Sequence, residues 1–351
     1  MNQKINTAII GFGMSGEYFH APFIDANPNF NLVKVVERVS EKSKVIYPYV
    51  QVVKNYEDVL NDKDIDLVII TTPNSTHYKI GMEALQADKH VIIEKPFTRT
   101  SAAAKELIDL AASKNKILSP FQNRRWDGDF LTVKKIISSN LLGELIEYRS
   151  HFDRFRNEIK QGTWKEEDLL DSGLLYDLGP HLIDQALVLF GKPLSVYADL
   201  RTQRERSKII DNFELVINYS KLKVILNSGF LYKQPLVRFA LFGTEGSYIK
   251  DGIDPQEATL KNYKFRNNPD WGIEPECDWG SYNTKINGLD IKGKIETVAG
   301  CYQNYFENIY EAIADQKELA VKPEEALLTA QIIELAIESN KRRSVVDFSL
   351  A

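Results

Sequence analysis

Cysteine is scarce in this chain of 351 residues, where only Cys277 and Cys301 occur. The two form no ligand-like cluster and fit a reducing compartment, so we expect a cytoplasmic protein. A basic surplus is also missing, since the formal net charge is -5. This charge argues against a nucleic-acid partner, because a surplus of cations is needed to neutralise phosphates. No hydrophobic run reaches the length of a membrane span and no signal peptide is visible, so we expect no membrane partner.

The chain also lacks the usual signatures of metal-dependent and nucleophilic catalysis. No pair among its five histidines has metal-ligand spacing, so we predict no metal site. Neither a G-x-S-x-G elbow nor a Cys–His signature is present. The length predicts two domains, and the apolar content of 43% is ordinary for a globular protein.

What the chain does have is a glycine-rich turn near its start. The apolar run 8–10 leads into glycines with G-x-G-x-x-G spacing, and an amphipathic segment follows. This order predicts a buried strand, a tight turn and a helix start, which is the context that makes the motif informative. Gly11 allows the turn, Gly13 lets the backbone approach a pyrophosphate, and Gly16 lets helix and strand pack closely. The motif predicts a dinucleotide site, and the alternative is a strand–helix turn that binds nothing.

The second predicted strand, over residues 32–37, ends in two charged residues with opposite implications for the cofactor. Glu37 lies about 20 residues past Gly16, where a dinucleotide fold places the group that reads the adenosine ribose. A carboxylate there accepts a hydrogen bond from a 2′-hydroxyl and favours NAD, whereas the guanidinium of Arg38 suits a 2′-phosphate and NADP. Both side chains could instead be ordinary solvated charges at a strand end.

Strand and helix patterns alternate through residue 121. Strands are predicted over 65–71, 90–94 and 117–121, and helices over 17–26, 56–61, 78–87 and 100–114. The alternation predicts a mostly parallel sheet with helices on both faces, so the fold class is α/β with a Rossmann dinucleotide-binding domain over residues 1–122. Two loops follow core strands, at Thr72-Pro73-Asn74 with His77 and at Glu94-Lys95-Pro96. Loops at the carboxyl ends of such strands are where open α/β sheets bind ligands.

The pattern changes after residue 122. Helices are predicted over 130–139, 178–190, 302–315 and 324–341, and strands over 144–152, 195–202, 212–219, 223–230, 237–242 and 247–250. Strands clustered without intervening helices predict a large, mostly antiparallel sheet. We therefore expect an α+β domain over residues 123–351 for substrate binding and oligomerisation, with the last helices free to pack back on the first domain. Residues 262–294 are polar and aperiodic, which predicts a long loop or lid.

Three residues are candidates for proton chemistry, because a hydride leaves a carbinol carbon only if the hydroxyl proton also leaves. Lys95 ends a core strand on the edge where the cofactor must lie. Asp177 and His181 are four apart, so on a helix they would share a face, and the carboxylate would orient the imidazole. Taken singly, Lys95 could be a surface lysine, His181 a core histidine and Asp177 a helix cap. Among the other histidines, His77 borders the nicotinamide side, whereas His20 is expected to be a core or surface residue.

Together these motifs resemble the Gfo/Idh/MocA oxidoreductase family, over nearly the whole chain. The family motifs occur in order at Gly11 to Gly16, Thr72-Pro73-Asn74 with His77, Glu94-Lys95-Pro96, and Asp177 with His181 and Asp184. The resemblance implies that Lys95 contacts both nicotinamide and substrate, that Asp177 and His181 are the acid/base pair, and that Pro96 follows a cis bond. It implies a cofactor site made of these residues: Gly11, Gly13, Met14, Ser15, Gly16, Glu37, Arg38, Thr72, Pro73, Asn74, His77, Glu94, Lys95, Pro96, Asn123 and Trp126.

A closer resemblance is to one branch of that family, the NADP-dependent scyllo-inositol 2-dehydrogenases. Segments 121–132, 152–156 and 176–185 carry it. The branch implies a cyclic polyol that is oxidised to an inosose, or the inosose reduced. Many directional hydrogen bonds are needed to hold a polyol, and the expected substrate-binding residues are Lys95, Asn123, Arg125, Asp127, Arg154, Arg156, Asp177 and His181. The alternative for the charged members of this set is strand-end charges and interdomain salt bridges. NADP is the expected cofactor because of Arg38, with NAD as the alternative because of Glu37.

We therefore expect an NAD(P)-dependent dehydrogenase that acts on a cyclic polyol or a sugar. A second hypothesis is an aldose dehydrogenase of the same family, and a third is a dinucleotide-binding sensor without turnover. Either Lys95 or His181 could be the proton acceptor. The alternating residues of the second domain's strands also predict one sheet face packed on helices and another packed on a second copy, giving a homodimer or homotetramer.

Overall fold

The computed structural model describes residues 4–160, 162, 166, 171–262 and 270–350. The chain divides into two compact units, each built from three segments. The first unit is made of Met1–Asn123, Gln256–Trp271 and Cys301–Leu327. The second unit is made of Arg124–Pro255, Gly272–Gly300 and Leu328–Ala351. The polypeptide therefore returns to each unit after leaving it.

A six-stranded parallel sheet forms the centre of the first unit. Its strands are β1 (Ile5–Ile10), β2 (Phe30–Val36), β3 (Gln51–Val53), β4 (Leu67–Ile70), β5 (His90–Ile93) and β6 (Leu118–Pro120), in the order β3-β2-β1-β4-β5-β6. Every residue of β4 is buried, as expected for a continuous apolar strand with both faces covered. The order reverses between β1 and β4, and such a switch point is where open α/β sheets bind ligands.

Helices connect these strands. They are α1 (Ala21–Ala26), α2 (Lys42–Ile46), α3 (Glu57–Leu60), α4 (His77–Gln86) and α5 (Ser101–Lys114), and a π-helical stretch, Gly16–His20, leads directly into α1. The hydroxyl of Thr100 caps α5 by accepting from the backbone nitrogen of Ala103 at 3.2 Å. The predicted Rossmann architecture is confirmed in this unit.

Two later helices complete the first unit, α9 (Gln256–Lys261) and α10 (Gln303–Ala314). Phe306 of α10 stacks on Phe23, with ring centroids 5.3 Å apart. The neighbouring Tyr305 donates its hydroxyl to Ser119 of β6 at 3.0 Å. Residues from the C-terminal part of the chain thus pack against the six-stranded sheet of the first unit.

A nine-stranded sheet dominates the second unit. Its strands are β7 (Leu145–His151), β8 (Ser195–Arg201), β9 (Asn212–Asn218), β10 (Lys223–Gly229), β11 (Phe239–Gly243), β12 (Gly246–Lys250), β13 (Gly280–Ile286), β14 (Leu289–Ile295) and β15 (Val346–Asp347), in the order β14-β13-β12-β11-β7-β10-β9-β8-β15. β7 and β10 pair in parallel, and the remaining neighbours are antiparallel. The prediction of a large, mostly antiparallel sheet is therefore confirmed.

One face of this sheet packs on helices. The helices are α6 (Gly128–Ser138), α7 (Leu174–Asp177), α8 (Gly179–Phe190) and the later part of α11 (Pro323–Arg342). A single core cluster joins alternate residues of β9 and β10 to the apolar stripe of α8, as period-2 strands against a period-3.6 helix require. The strand and helix members are Leu215, Ile217, Val224, Leu226, Leu182, Ile183 and Ala186.

The prediction of a long loop or lid over residues 262–294 is wrong for its second half, and residues 263–269 lie outside the described residues. β13 and β14 form an antiparallel hairpin there. Asn287 and Gly288 make its turn with positive φ at both positions, 51° and 80°. An Asn-Gly pair is a strong hairpin signal because both residues tolerate that conformation. The sequence pattern did not predict these strands, because their exposed, lysine-rich faces carry little apolar alternation.

Within the described chain, no helix has the length and apolarity needed to cross a bilayer.

Candidate active site

The glycine-rich turn of the first unit has the geometry of a phosphate cradle. Gly11 has φ +98°, and a Cβ there would lie 3.1–3.3 Å from atoms of Thr71. A Cβ on Gly16 would lie 2.5 Å from the carbonyl oxygen of Gly11, so the helix start fits against the turn only without a side chain. The space beside Gly13 is open to at least 4 Å. The residues present therefore fit a dinucleotide diphosphate, with Met14 exposed and Ser15 half-buried beside them.

Glu37 directs its carboxylate into the loop that follows β2. One oxygen accepts from the backbone nitrogen of Ser43 at 2.8 Å and from its hydroxyl, and the other accepts from Ser40 and from the backbone nitrogen of Lys42. Burial tends to raise the pKa of Glu37, but the hydrogen bonds from Ser40 and Ser43 hold the pKa below its ordinary value. A ribose hydroxyl would have to compete with four donors, while Arg38 next to it is exposed.

The Thr72 loop and the Glu94-Lys95-Pro96 segment are joined by His77. Its Nδ1 lies 2.9 Å from the carbonyl oxygen of Pro96, and its Nε2 lies 2.9 Å from that of Thr72. A carbonyl can only accept, so a ring nitrogen donates to it only when that nitrogen carries a proton. The ring is buried and holds two backbone segments together. Pro73 is exposed and Asn74 is half-buried on the same loop.

The lysine motif directly follows β5 at the carboxyl edge of the first sheet. The Lys95–Pro96 peptide bond is cis, as the resemblance implied. Lys95 is half-buried, and its backbone nitrogen donates to Oε2 of the preceding Glu94 at 3.0 Å. The other oxygen of Glu94 accepts from Ser15 and lies 2.9 Å from Nε2 of His20. His20 was expected to be an ordinary core or surface residue. Sequence gives no signal for this contact, since 74 residues separate the pair.

The candidate acid/base pair lies at a break between two helices of the second unit. Asp177 is the last residue of α7, and His181 lies in the first turn of α8, with Leu178 between the helices. His181 is buried and Asp177 is half-buried. The spacing predicted one helix entry that carries both residues, whereas the structure places them on two consecutive helices. Whether they act as an acid/base pair stays a prediction.

Two of the expected substrate-binding residues are held in ion pairs of the second unit. Arg125 makes a bidentate pair with Asp184 of α8, with Nε–Oδ2 at 2.8 Å and Nη2–Oδ1 at 2.6 Å. Asp127 lies 3.3 Å from Nη1 of Arg124. All four side chains are almost completely buried. These contacts are salt bridges within one unit, not the interdomain salt bridges of the alternative. Whether Arg125 and Asp127 bind substrate stays a prediction.

Further arginines surround the ring of Phe152 at the end of β7. The guanidinium carbons of Arg124, Arg154 and Arg238 lie 4.7, 5.3 and 5.2 Å from its centroid. Cations over an aromatic face are attracted by its quadrupole. Arg156 lies similarly over Phe230, at 5.7 Å. The fold thus brings Arg154 and Arg156 to buried aromatic rings.

Arg238 was missed in the sequence because it stands in no motif. Its Nη1 donates to the hydroxyl of Ser150 at 2.6 Å, and its Nη2 donates to Oε1 of Gln185 at 3.0 Å. Its Nε lies 3.4 Å from Oδ2 of Asp129. Gln185 also donates to the carbonyl oxygen of Arg124 at 2.9 Å. Arg238, Gln185 and Asp129 therefore form a polar cluster, and Gln185 lies one turn along α8 from His181.

The two remaining predicted cofactor residues lie where the chain passes from the first unit to the second. Asn123 ends the first segment of the first unit and is buried, and Trp126 is half-buried in the second unit. Both belong to one turn of 3-10 helix, Asn123–Trp126. Their contact with a cofactor stays a prediction.

Comparison with known proteins places the chain among oxidoreductases over most of its length. Residues 5–122 match the model of the oxidoreductase family, NAD-binding Rossmann fold, and residues 134–348 match the oxidoreductase family, C-terminal alpha/beta domain. The uncharacterized oxidoreductase YdgJ of Escherichia coli (strain K12) is 39% identical, over 99% of both chains. The scyllo-inositol 2-dehydrogenase (NADP(+)) IolW of Bacillus subtilis (strain 168) is 38% identical, over 97% of this chain and 95% of its own.

A solved structure shows the same architecture. The oxidoreductase yvaA from Bacillus subtilis superposes with a TM-score of 0.94 at 36% identity, and the match covers 99% of both chains. The resemblance drawn from the motifs is therefore confirmed. The chain belongs to the Gfo/Idh/MocA family of NAD(P)-dependent oxidoreductases, which act on sugars and polyols.

Proposed function

We propose that this protein is an NADP-dependent dehydrogenase of a cyclic polyol, which interconverts scyllo-inositol and the corresponding inosose. The observation that carries the proposal is the similarity, over nearly the full length of both chains, to a relative named as an NADP-dependent scyllo-inositol 2-dehydrogenase. Motifs for both halves of the reaction are present, since the glycine cradle fits a diphosphate and Lys95 follows strand β5 of the same sheet. A polyol also suits a second unit that is rich in buried hydrogen-bonding groups.

The choice of NADP over NAD rests on the loop after β2. Glu37 is only 4% exposed, and both of its oxygens already accept hydrogen bonds from residues 40–43. Arg38, by contrast, is exposed and always charged, so it is available to a 2′-phosphate. We therefore assign Glu37 to the loop and Arg38 to the phosphate.

When bound, the nicotinamide accepts the hydride in the oxidation and supplies it in the reduction. The proton is handled by the chain's own residues. In the proposed oxidation, the carbinol C–H bond gives up the hydride, His181 takes the hydroxyl proton, and the C=O bond forms. Asp177 orients the imidazole, and Lys95 hydrogen-bonds to the reacting oxygen and stabilises its developing negative charge. The alternative assignment makes Lys95 the base that takes the hydroxyl proton.

Substrate selection is assigned to Asn123 at the end of the first unit's first segment and to arginines of the second unit. We propose that Asn123, Arg154 and Arg156 donate to ring hydroxyls. We propose that Arg125 and Asp127, which are held in buried ion pairs, complete the substrate-binding set.

The test is a paired titration with NADPH and NADH, followed by a substrate panel under the preferred cofactor. Binding is followed by nicotinamide fluorescence, and turnover is followed by absorbance with scyllo-inositol, myo-inositol, their inososes and a set of aldoses. We expect tighter binding of NADPH and the highest kcat/KM with scyllo-inositol or its inosose. Preference for an aldose would support the second hypothesis. Tight cofactor binding without turnover of any polyol or sugar would support the sensor hypothesis and contradict the enzyme.

We also propose that copies of this chain associate through the sheet face that does not pack on helices. In-register pairing places Tyr197, Val216, Ile225, Arg149, Ala240 and Ile249 in one row across that face. The row is apolar except for Arg149, and apolar residues on a sheet face favour burial against a second copy. A light-scattering mass of two or four chains is expected, and the mass of a single chain, 40.1 kDa, at working concentration would contradict this.

A further inference from the structure

We propose that His20 is a positioning residue, which acts through the buried carboxylate of Glu94 on both the glycine-rich turn and the backbone of Lys95. The inference rests on the proposed function only where it concerns turnover. The effect of His20 on cofactor binding does not depend on the substrate, because it concerns the glycine-rich turn itself.

Glu94 connects three parts of the first unit. Its Oε1 accepts from the hydroxyl of Ser15 in the glycine-rich turn and lies 2.9 Å from Nε2 of His20. Its Oε2 accepts from the backbone nitrogen of Lys95 at 3.0 Å. Its own backbone nitrogen donates to the carbonyl oxygen of Ile70 at 3.0 Å, which continues the pairing of β4 with β5. One side chain therefore links the glycine-rich turn to the backbone of the lysine.

The carboxylate is inside the protein and remains ionised. Burial tends to raise the pKa of Glu94, but the hydrogen bond and charge of His20, followed by Ser15 and Lys95, hold the pKa below its ordinary value. A buried anion needs such partners, because an uncompensated charge in the interior is costly. Of these partners, His20 is the one that belongs neither to the glycine turn nor to the lysine motif.

Packing alone does not require a histidine at position 20. The ring is fully buried, 4.1 Å from the ring centroid of Phe121 and 5.8 Å from that of Phe306. Its Nδ1 has no hydrogen-bond partner within the part of the chain that the structure describes. A phenylalanine would fill the same aromatic site without that unsatisfied nitrogen. What the imidazole adds is the Nε2 contact with Glu94.

Loss of this contact should loosen the turn and the lysine together. Without its histidine partner, Glu94 holds Ser15 and the Lys95 backbone less firmly, so the diphosphate has to order a mobile turn on binding. Hydrogen bonds to charged groups are among the strong ones, and an effect of about tenfold is expected for one of them. Both the dissociation constant of NADPH and kcat should change, whereas KM for the polyol should stay close to the wild-type value.

The test compares His20→Phe with His20→Gln, which retains an N–H group able to reach the carboxylate. We expect His20→Phe to weaken NADPH binding about tenfold and to lower kcat by a similar factor, and His20→Gln to recover most of both. The matched control is His90→Gln, at the opposite end of β5, which should leave NADPH binding unchanged. Thermal melting of each variant identifies any that fail to fold.

A double-variant cycle with Ser15→Ala tests whether the effect passes through Glu94. If it does, the double variant His20→Phe, Ser15→Ala should have an NADPH dissociation constant close to that of the single variant that binds NADPH more weakly. Multiplying effects, or an unchanged NADPH constant in a folded His20→Phe protein, would overturn the proposal. If no polyol is turned over at all, the proposed function fails, but the binding arm still decides the role of His20.

Discussion

Ser43 donates two hydrogen bonds to one oxygen of Glu37, from its backbone nitrogen at 2.8 Å and from its hydroxyl. An acidic residue at the end of the second strand ordinarily accepts from the ribose 2′-hydroxyl and disfavours a 2′-phosphate. In this protein the carboxylate is satisfied by residues of its own loop. Read from the sequence alone, Glu37 would indicate NAD. In the structure its carboxylate instead holds residues 40–43 of the loop that follows Arg38.

The two possible roles of Glu37 predict opposite signs for one substitution. If Glu37 holds the loop, Glu37→Gln weakens NADPH binding about tenfold, because an amide cannot accept all four hydrogen bonds. If Glu37 reads the 2′-hydroxyl, the same substitution strengthens NADPH binding and weakens NADH binding. Fluorescence titrations of both cofactors at fixed ionic strength distinguish the two. Arg38→Ala is the companion variant and should weaken NADPH binding while leaving NADH binding nearly unchanged.

Lys95→Met should separate chemistry from cofactor binding. Removal of a cation that stabilises the developing oxyanion is expected to lower kcat by about 10²-fold or more. The NADPH dissociation constant should change by less than about threefold, because Glu94 contacts the backbone nitrogen of Lys95, which the variant keeps. Lys105→Met, on the exposed face of α5, is the matched control for kcat. Near-normal turnover of Lys95→Met would contradict the mechanism.

Breaking the Arg125–Asp184 pair should destabilise the second unit strongly. Both side chains are almost completely buried, so Asp184→Asn removes the anion of a buried bidentate ion pair and is expected to cost about 3 kcal/mol or more. The exposed pair Lys105–Asp109 provides the comparison, and Asp109→Asn should cost less than about 0.5 kcal/mol. Urea unfolding of the three proteins measures both values. Equal losses for the two variants would show that burial does not determine the strength of the Arg125–Asp184 contact.

His90 predicts a pH-dependent term in the stability of the first unit. Burial, with a smaller effect of the charge on Lys116, lowers the pKa of His90 to about 4, and its Nδ1 accepts from the backbone nitrogen of Ile117 at 3.0 Å. In the unfolded chain the pKa is about 6.5. The unfolded state therefore binds the proton first as pH falls. The stabilisation is complete above about pH 6.5 and is lost as pH falls from there toward 4.

Comparison with His90→Gln isolates this contribution, since glutamine can still accept from Ile117 but does not titrate in this range. Between about pH 7 and pH 5, the wild type should lose on the order of 1 kcal/mol more of its free energy of unfolding than the variant. Urea unfolding at the two pH values measures the difference. Parallel losses in the two proteins would mean that His90 is protonated in the fold.

Much of the fold could be predicted because its signals are local. The apolar run of β4 and the spacing of Gly11, Gly13 and Gly16 require nothing from distant parts of the chain. The β13–β14 hairpin also had a local signal in Asn287-Gly288, but its polar strands concealed it. Site residues were harder to predict, because the direction of a side chain is set by the assembled fold. The turn of Glu37 into its own loop and the contact of His20 with Glu94 are of this kind.

The return of the chain to the first unit limits when that unit can be completed during synthesis. Phe306 covers Phe23 and Phe121, and the carbonyl oxygen of Val321 accepts from the hydroxyl of Ser119 in β6 at 3.1 Å. When only the first 122 residues have emerged from the ribosome, the glycine-rich turn is present, but Phe306, which packs on Phe23 and Phe121, is not. Nascent chains of this protein should acquire protease-resistant nucleotide-binding structure late, after residue 327 has emerged from the exit tunnel.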